Sequence, residues 1–287
     1  MFKRILKLSN LIWALAIFLA LAALTVGFAV TVFTGYDGDT DRPVMDLREN
    51  ATGDAIRRPE KDEVKEEDEP KTKEPATALR PDGTLHPLAQ TTDAGQEYAD
   101  SLTYLVDSSF IRLRSLGLTS GPVWSSETGL LAMGDTGNWS IRYPGDGSFI
   151  SPASAATIAK PEILVIAVGS DGIDGLDGSA FIANYESLIR DLSEASPDTI
   201  IVCLSLSSVT AAYVGTDGLN AEKAAEINGW IKTVCIDTGA YYGDLGSTLC
   251  SDGNLLSEYA DGTGRSLNST GLRAVLSYLR NHNAKLQ

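Results

Sequence analysis

The chain beyond residue 95 predicts an α/β domain, a three-layer sandwich built on a central parallel sheet. Two observations predict it. Runs that read as buried strands recur at Leu102–Val106, within PEILVIAVGSDG and at Thr199–Leu206. Between them lie segments of helical periodicity, such as Ser179–Ala195, where Phe181, Ile182, Tyr185, Leu188, Ile189 and Leu192 fall on one face. Strands alternating with helices imply a parallel sheet covered on both sides.

The chain ahead of this domain has three parts. Residues 1–10 form a short cytoplasmic segment containing Lys3, Arg4 and Lys7, and residues 11–33, LIWALAIFLALAALTVGFAVTVF, form an uncharged run long enough to cross a bilayer. Basic flanks stay on the cytoplasmic side. The expectation is a single-pass cell-membrane protein anchored through this transmembrane helix, with its main body extracytoplasmic. A cleaved signal peptide is the alternative, but the run exceeds a usual apolar signal core and no clear small-residue cleavage site follows it. Residues 34–95 are rich in Pro, Asp, Glu and Lys, with few large apolar side chains, so they are expected to form a disordered stalk. The folded domain is then 96–287.

Lys+Arg 23 against Asp+Glu 38 gives a formal net charge of -15 over 287 residues. Such a balance argues against nucleic acid as a partner, because binding a phosphate backbone needs basic surface. Three cysteines, Cys203, Cys235 and Cys250, are too few for a disulfide scaffold and lack metal-ligand spacing. Cys203 reads as a buried small hydrophobe. Cys235 and Cys250 either pair, closing a loop worth roughly 3 kcal/mol, or remain free thiols.

Within the domain, an apolar strand ends at Asp107, Ser108 and Ser109 and gives way to a helix over Phe110–Leu116 closed by Gly117. A hydroxyl is thereby placed at the carboxyl end of a strand, where open α/β sheets bind ligands; a cap for the following helix is the plainer reading. Pro122–Ser126 reads as a strand leading to Gly129, Gly134–Gly147 as loop, and Pro152–Ala159 as helix. PEILVIAVGSDG, closed by Gly169, is expected as a strand buried on both faces. A helix over Asn220–Thr238, a short strand at Ala240–Tyr242 and a helix over Ser269–Asn281 complete the alternation. Asp171, Asp174 and Asp177 repeat at intervals of three, but the calcium-loop pattern Asp-x-Asp-x-Asp-Gly is absent and a solvated loop is the plainer reading. No metal and no cofactor is expected. Trp124, Trp139 and Tyr143 lie near the crevice; Trp124 falls in a strand and reads as core, and Trp139 is open as a surface for sugar rings.

Four segments in this order resemble the SGNH/GDSL hydrolases, of the small extracytoplasmic type found in Gram-positive bacteria. YADSLTYLVDSS resembles the block around Gly-Asp-Ser, and Gly129 can stand for the second-block glycine. VIAVGSDG resembles the Gly-x-Asn-Asp block, and SEYADGTGRSLNSTGLRAVLSYLRNH the closing Asp-x-x-His block. The resemblance covers roughly Tyr98 to His282. It implies a flavodoxin-like sandwich, Ser108 at the nucleophile position, the Ser108 amide with Gly129 and Asp171 at the oxyanion-hole positions, Asp261 at the acid position, and Gly169 beside the substrate.

The resemblance also exposes what is missing. Asp261 is followed by Gly262, Thr263, Gly264, Arg265, Ser266, Leu267 and Asn268, so the histidine's place falls on Gly264 or Ser266, and Arg265 stays protonated. The chain's two histidines, His86 and His282, lie outside the motif. Val106 replaces the first-block glycine, Asp171 the oxyanion asparagine, and Gly172 the acid after it. A serine without a positioned base is a weak nucleophile. The expectation is therefore an impaired or inactive pseudoenzyme that binds a cell-envelope carbohydrate or protein ligand. The alternative is an active serine acylesterase or deacetylase acting on envelope carbohydrate through Ser108.

Overall fold

The structure, a computed structural model, describes residues 81–287. The apolar run 11–33 and most of the expected stalk lie outside these residues, and no described helix is long and apolar enough to cross a membrane.

The described residues form a six-stranded sheet whose pairs are all parallel. Its strands in chain order are β1 (His86–Pro87), β2 (Thr103–Val106), β3 (Val123–Trp124), β6 (Ile163–Ala167), β7 (Ile200–Leu204) and β8 (Tyr241–Gly243). A hairpin of β4 (Ile141–Arg142) and β5 (Phe149–Ile150) lies outside the sheet, as does a second antiparallel pair, β9 (Cys250–Ser251) with β10 (Asn254–Leu255). The spatial order is β1-β8-β7-β6-β2-β3. Leaving β1 aside, this is the flavodoxin-like arrangement, and the winding direction reverses between β2 and β6. The crevice at that reversal holds the residues that follow both strands.

Strand periodicity explains the layers. Tyr104, Val106, Val165 and Val202 point to one face, whereas Leu105, Leu164, Ile166, Ile201 and Cys203 point to the other. The second face is covered by α3 (Pro152–Ala159), α4 (Gly178–Ala195) and α5 (Ala221–Thr238). The first is covered by α1 (Gly95–Ser101), α2 (Arg112–Ser115), α6 (Gly246–Leu249) and α7 (Ser269–Arg280). Every residue of β2 and β6 is buried, as a doubly covered parallel strand requires.

The stalk boundary at 95 is corrected. His86 and Pro87 pair with Tyr241 and Tyr242, the Leu88 amide donates to the Tyr242 carbonyl at 2.8 Å, and Leu88 is buried. Composition hid this because two strand residues and one leucine suffice for the contact. Helix α1, with only Tyr98 and Ala99 buried, carries too little periodicity to be read. The β4–β5 hairpin replaces part of the expected loop.

Asn268 links the last helix to the loop before it. Its Oδ1 caps α7 by accepting from the Thr270 and Gly271 amides at 2.8 and 2.9 Å, while Nδ2 donates to the Glu258 and Ala260 carbonyls, both at 2.8 Å. All of its polar capacity is directed at backbone. Asn268→Ala removes cap and clamp together and is expected to cost about 2 kcal/mol of unfolding free energy in a denaturant titration.

Candidate functional site

The ladder of β2 continues one residue past the strand, where the Asp107 amide donates to the Ala167 carbonyl at 3.1 Å, and then breaks. Asp107 is fully buried. Its Oδ1 accepts from the Ser109 amide at 3.0 Å, and its Oδ2 accepts from the Gly169 amide at 3.0 Å and from the Ser170 amide and hydroxyl, both at 2.8 Å. This carboxylate ties the end of β2 to the end of β6. Gly169 has φ +124°, and a Cβ there would lie 3.2 Å from the Phe181 ring. Its amide is committed to Asp107, so the substrate-side role expected for Gly169 is corrected to a structural one.

Ser108 and Asp171 face each other across the crevice. The Ser108 hydroxyl donates to Asp171 Oδ1 at 2.5 Å, and the Ser108 amide donates to Oδ2 at 3.2 Å. A second amide converges on the same Oδ2, that of Leu131, at 3.1 Å. Two backbone N–H groups aimed at one point beside a serine make an oxyanion hole in outline. Here the point is filled by the protein's own carboxylate.

Gly129 is not the second donor. Its amide donates to the Ser126 carbonyl at 3.3 Å, its φ is +84°, and a Cβ would lie 3.1 Å from Ile111 Cγ1. It turns the chain closely past the serine loop, and the donor arrives two residues later at Leu131. Gly172 is required by the same loop: a Cβ there would stand 2.6 Å from Ala132 Cβ.

Arg265 occupies the remaining side of Ser108. Its Nη1 donates to Ser108 Oγ at 3.2 Å, Nη2 to the Ser170 carbonyl at 3.1 Å and to Asp171 Oδ1 at 3.4 Å, and Nε to Asp217 Oδ2 at 2.6 Å. Asp217 Oδ1 in turn accepts from the Tyr213 hydroxyl and the Leu219 amide, at 3.0 and 3.2 Å. Burial works against the Arg265 charge, but Asp217, Asp171 and Asp107 outweigh it and raise its pKa. Burial likewise works to raise Asp217, yet the Arg265 hydrogen bond and the Leu219 amide hold it below the ordinary carboxylate value.

Neither Gly264 nor Ser266 therefore faces the serine; the residue between them does. Asp261 is also corrected. Its Oδ1 accepts from the Thr263 amide and hydroxyl at 3.0 and 2.6 Å, forming a turn inside the loop closed by the Ala260–Leu267 bridge. It shapes the loop that carries Arg265, and Asp217 is the carboxylate that holds the side chain in place. Trp139, open in the sequence as a surface for sugar rings, is buried, with its indole N–H on the Ala132 carbonyl at 2.9 Å. Asp177 caps α4 through the Ala180 amide at 2.8 Å, apart from Asp171 in role.

The two histidines lie elsewhere. His282 stacks on Tyr278 beyond α7, where Lys285 pairs with Glu162 just ahead of β6, at the amino-terminal edge of the sheet. His86 opens β1. Cys203, Cys235 and Cys250 are free; Cys250 Sγ lies 3.2 Å from the Ser207 carbonyl, and Cys235 is buried in the core with Cys203. A Cys235–Cys250 bridge is absent.

Among the described residues, Ser108 thus has a carboxylate that accepts from its hydroxyl, a cation that donates to its oxygen, and no neutral base. Sequence reasoning identified the serine and Asp171 but missed Leu131, Arg265 and Asp217. Arg265 lay in the closing block, where its type excluded it as a base; no local signal pairs it with Asp217, 48 residues away.

Two measurements follow from this geometry. Arg265→Met leaves Asp171 and Asp217 without their shared cation and is expected to destabilise the fold by about 3 kcal/mol, read by denaturant unfolding. Burial, followed by the Asp171 charge, pushes Asp107 from 3.8 up to about 6. A carboxyl raised on folding contributes stability that is present below its unfolded pKa and lost as pH rises through the folded value. The destabilisation caused by Asp107→Asn is therefore expected to be smaller at pH 7 than at pH 4, by about 2 kcal/mol; equal effects at the two pH values would contradict it.

No family profile and no curated protein matches the chain. Solved structures similar to it include a provisionally assigned platelet activating factor from Streptococcus pneumonia, 18% identical over 64% of this chain and 88% of the other, with a TM-score of 0.46. A GDSL-like lipase from Bacteroides thetaiotaomicron is 9% identical over 68% and 92%, with a TM-score of 0.43. A psychrotrophic esterase from Pseudoalteromonas sp. is 9% identical over 65% and 98%, with a TM-score of 0.42. In its own sheet order the domain has a flavodoxin-like layout, with Ser108 set at the carboxyl end of β2 against Arg265 of the loop that precedes α7.

Proposed function

We propose that this chain is a membrane-anchored, extracytoplasmic protein whose SGNH-like domain binds a cell-envelope ligand or a protein partner and does not hydrolyse esters. The observation that carries the reading is the position of the Asp171 carboxylate on the amides of Ser108 and Leu131, at 3.2 and 3.1 Å. An acyl oxygen that becomes negative in the transition state would need those same donors, and it would meet a negative charge already seated there. Arg265 compounds the obstacle. It donates to the oxygen that would attack, and it has no basic nitrogen with which to take the proton.

The anchor and the extracytoplasmic setting are supported by the apolar run at 11–33 and its basic leading flank. The second reading, an active acylesterase, is favoured by one feature: the hydroxyl of Ser108 is already hydrogen-bonded to a carboxylate at 2.5 Å. A carboxylate is a poor match for a serine proton near neutral pH, which places this reading second.

The test uses the full chain in detergent, a fluorophosphonate label and an activated acetyl ester. The folded protein is expected to remain unlabelled and to turn over no more ester than its Ser108→Ala variant. Labelling and turnover that disappear in that variant would establish a serine hydrolase and overturn the proposal.

A further inference from the structure

A cleft of about 470 Å³ lies beside the edge strand β3, lined by Arg114, Val123, Arg142, Tyr143, Pro144, Asp146 and Gly147. Arg114 comes from the helix that follows the Ser108 turn, and Arg142 from the hairpin that extends past β3, where its amide donates to the Ser125 carbonyl at 2.9 Å. Two separate segments thus bring guanidinium groups to one concavity.

Neither guanidinium has a carboxylate within salt-bridge distance among the described residues, where Arg190, Arg265 and Arg280 are each paired. In a chain of net charge -15, two unpaired arginines sharing a cleft form a local reversal of sign. The one acid on the cleft's rim, Asp146, accepts from the Ser148 amide and hydroxyl at 2.9 and 2.6 Å through Oδ1. It closes the hairpin turn and pairs with neither arginine.

The turn is shaped around the two side chains that project from it. Gly147 has φ +76°, and a Cβ there would lie 3.9 Å from Arg142 Nε and Nη2, so the guanidinium passes over bare backbone. A Cβ on Gly145 would stand 2.6 Å from Tyr143 Cε1, so the half-buried ring packs closely against the turn. The cleft therefore presents two planar cations and one half-buried aromatic ring, with Val123 and Pro144 as apolar lining.

We propose that this cleft binds an oxyanion, phosphate or carboxylate, carried on a sugar or polyol. Planar guanidinium forks match the paired oxygens of either anion, and a tyrosine face packs against the C–H face of a sugar ring. The site lies outside the Ser108 crevice and gives the binding function a ligand class. The two readings fail separately, since a chain labelled at Ser108 can still bind anions here, and an unlabelled chain can fail to.

The test is calorimetric titration of the full chain with sn-glycerol 3-phosphate and with glucuronate, using glucose as the neutral control. Saturable binding of at least one anion is expected, with none of glucose. Arg114→Gln and Arg142→Gln should each weaken it by about tenfold or more, while Arg112→Gln, from the same short helix but outside the cleft, should leave it unchanged. Which anion binds identifies the phosphate or the carboxylate as the natural group. Absence of binding to both, or affinities unchanged in the Arg114 and Arg142 variants, would overturn the proposal. Unfolding curves of all three variants, expected to match the parent because the side chains are exposed, exclude a folding defect as the cause.

Discussion

The crevice depends on one buried carboxylate. Where β2 and β6 end, the ladder stops and leaves the amides of Ser109, Gly169 and Ser170 pointing inward with no strand to receive them. Buried N–H groups without partners are costly, and Asp107 accepts from all three as well as from the Ser170 hydroxyl. The desolvation of that charge is the cost of the arrangement, visible in its raised pKa. In return both strand ends are fixed relative to each other, which sets the direction in which Ser108 and Asp171 meet.

On that foundation the rest of the site is a chain of charges that alternate in sign. Asp171 lies against the Ser108 and Leu131 amides, Arg265 against Asp171, and Asp217 against Arg265. Each charge neutralises the next, so removing a member exposes its neighbours. A pair of amides suited to a transient negative oxygen thus holds a permanent one.

The parts of the fold that could be read in the sequence were those with long, unmixed signals. PEILVIAVGSDG and the Ser179–Ala195 periodicity became β6 and α4 nearly residue for residue, because burial on both faces and an amphipathic stripe each leave a local pattern. The elements missed were short or defined by distant partners. His86–Pro87 is a strand only because Tyr241 and Tyr242 lie beside it, and α1 buries two residues of seven. The site divides in the same way. Ser108 and Asp171 follow predictable strands, whereas Leu131 contributes a backbone amide that any residue type would supply, and Asp217 acts through a loop whose path no local pattern encodes. Counting from Asp261 pointed to Gly264, and alignment on Leu267-Asn268 to Ser266; the φ of +79° at Gly264 turns the chain so that the intervening arginine faces inward.

The two-residue strand β1 also governs how the sheet ends. A parallel sheet that stopped at β8 would offer the backbone of Tyr241–Gly243 to any extended chain nearby. His86 and Pro87 occupy that side instead. Pro87 has no amide hydrogen, so the new outer rim is itself a poor template for another strand. His86 and Pro87 therefore act as a selvedge, closing an otherwise adhesive border of the sheet.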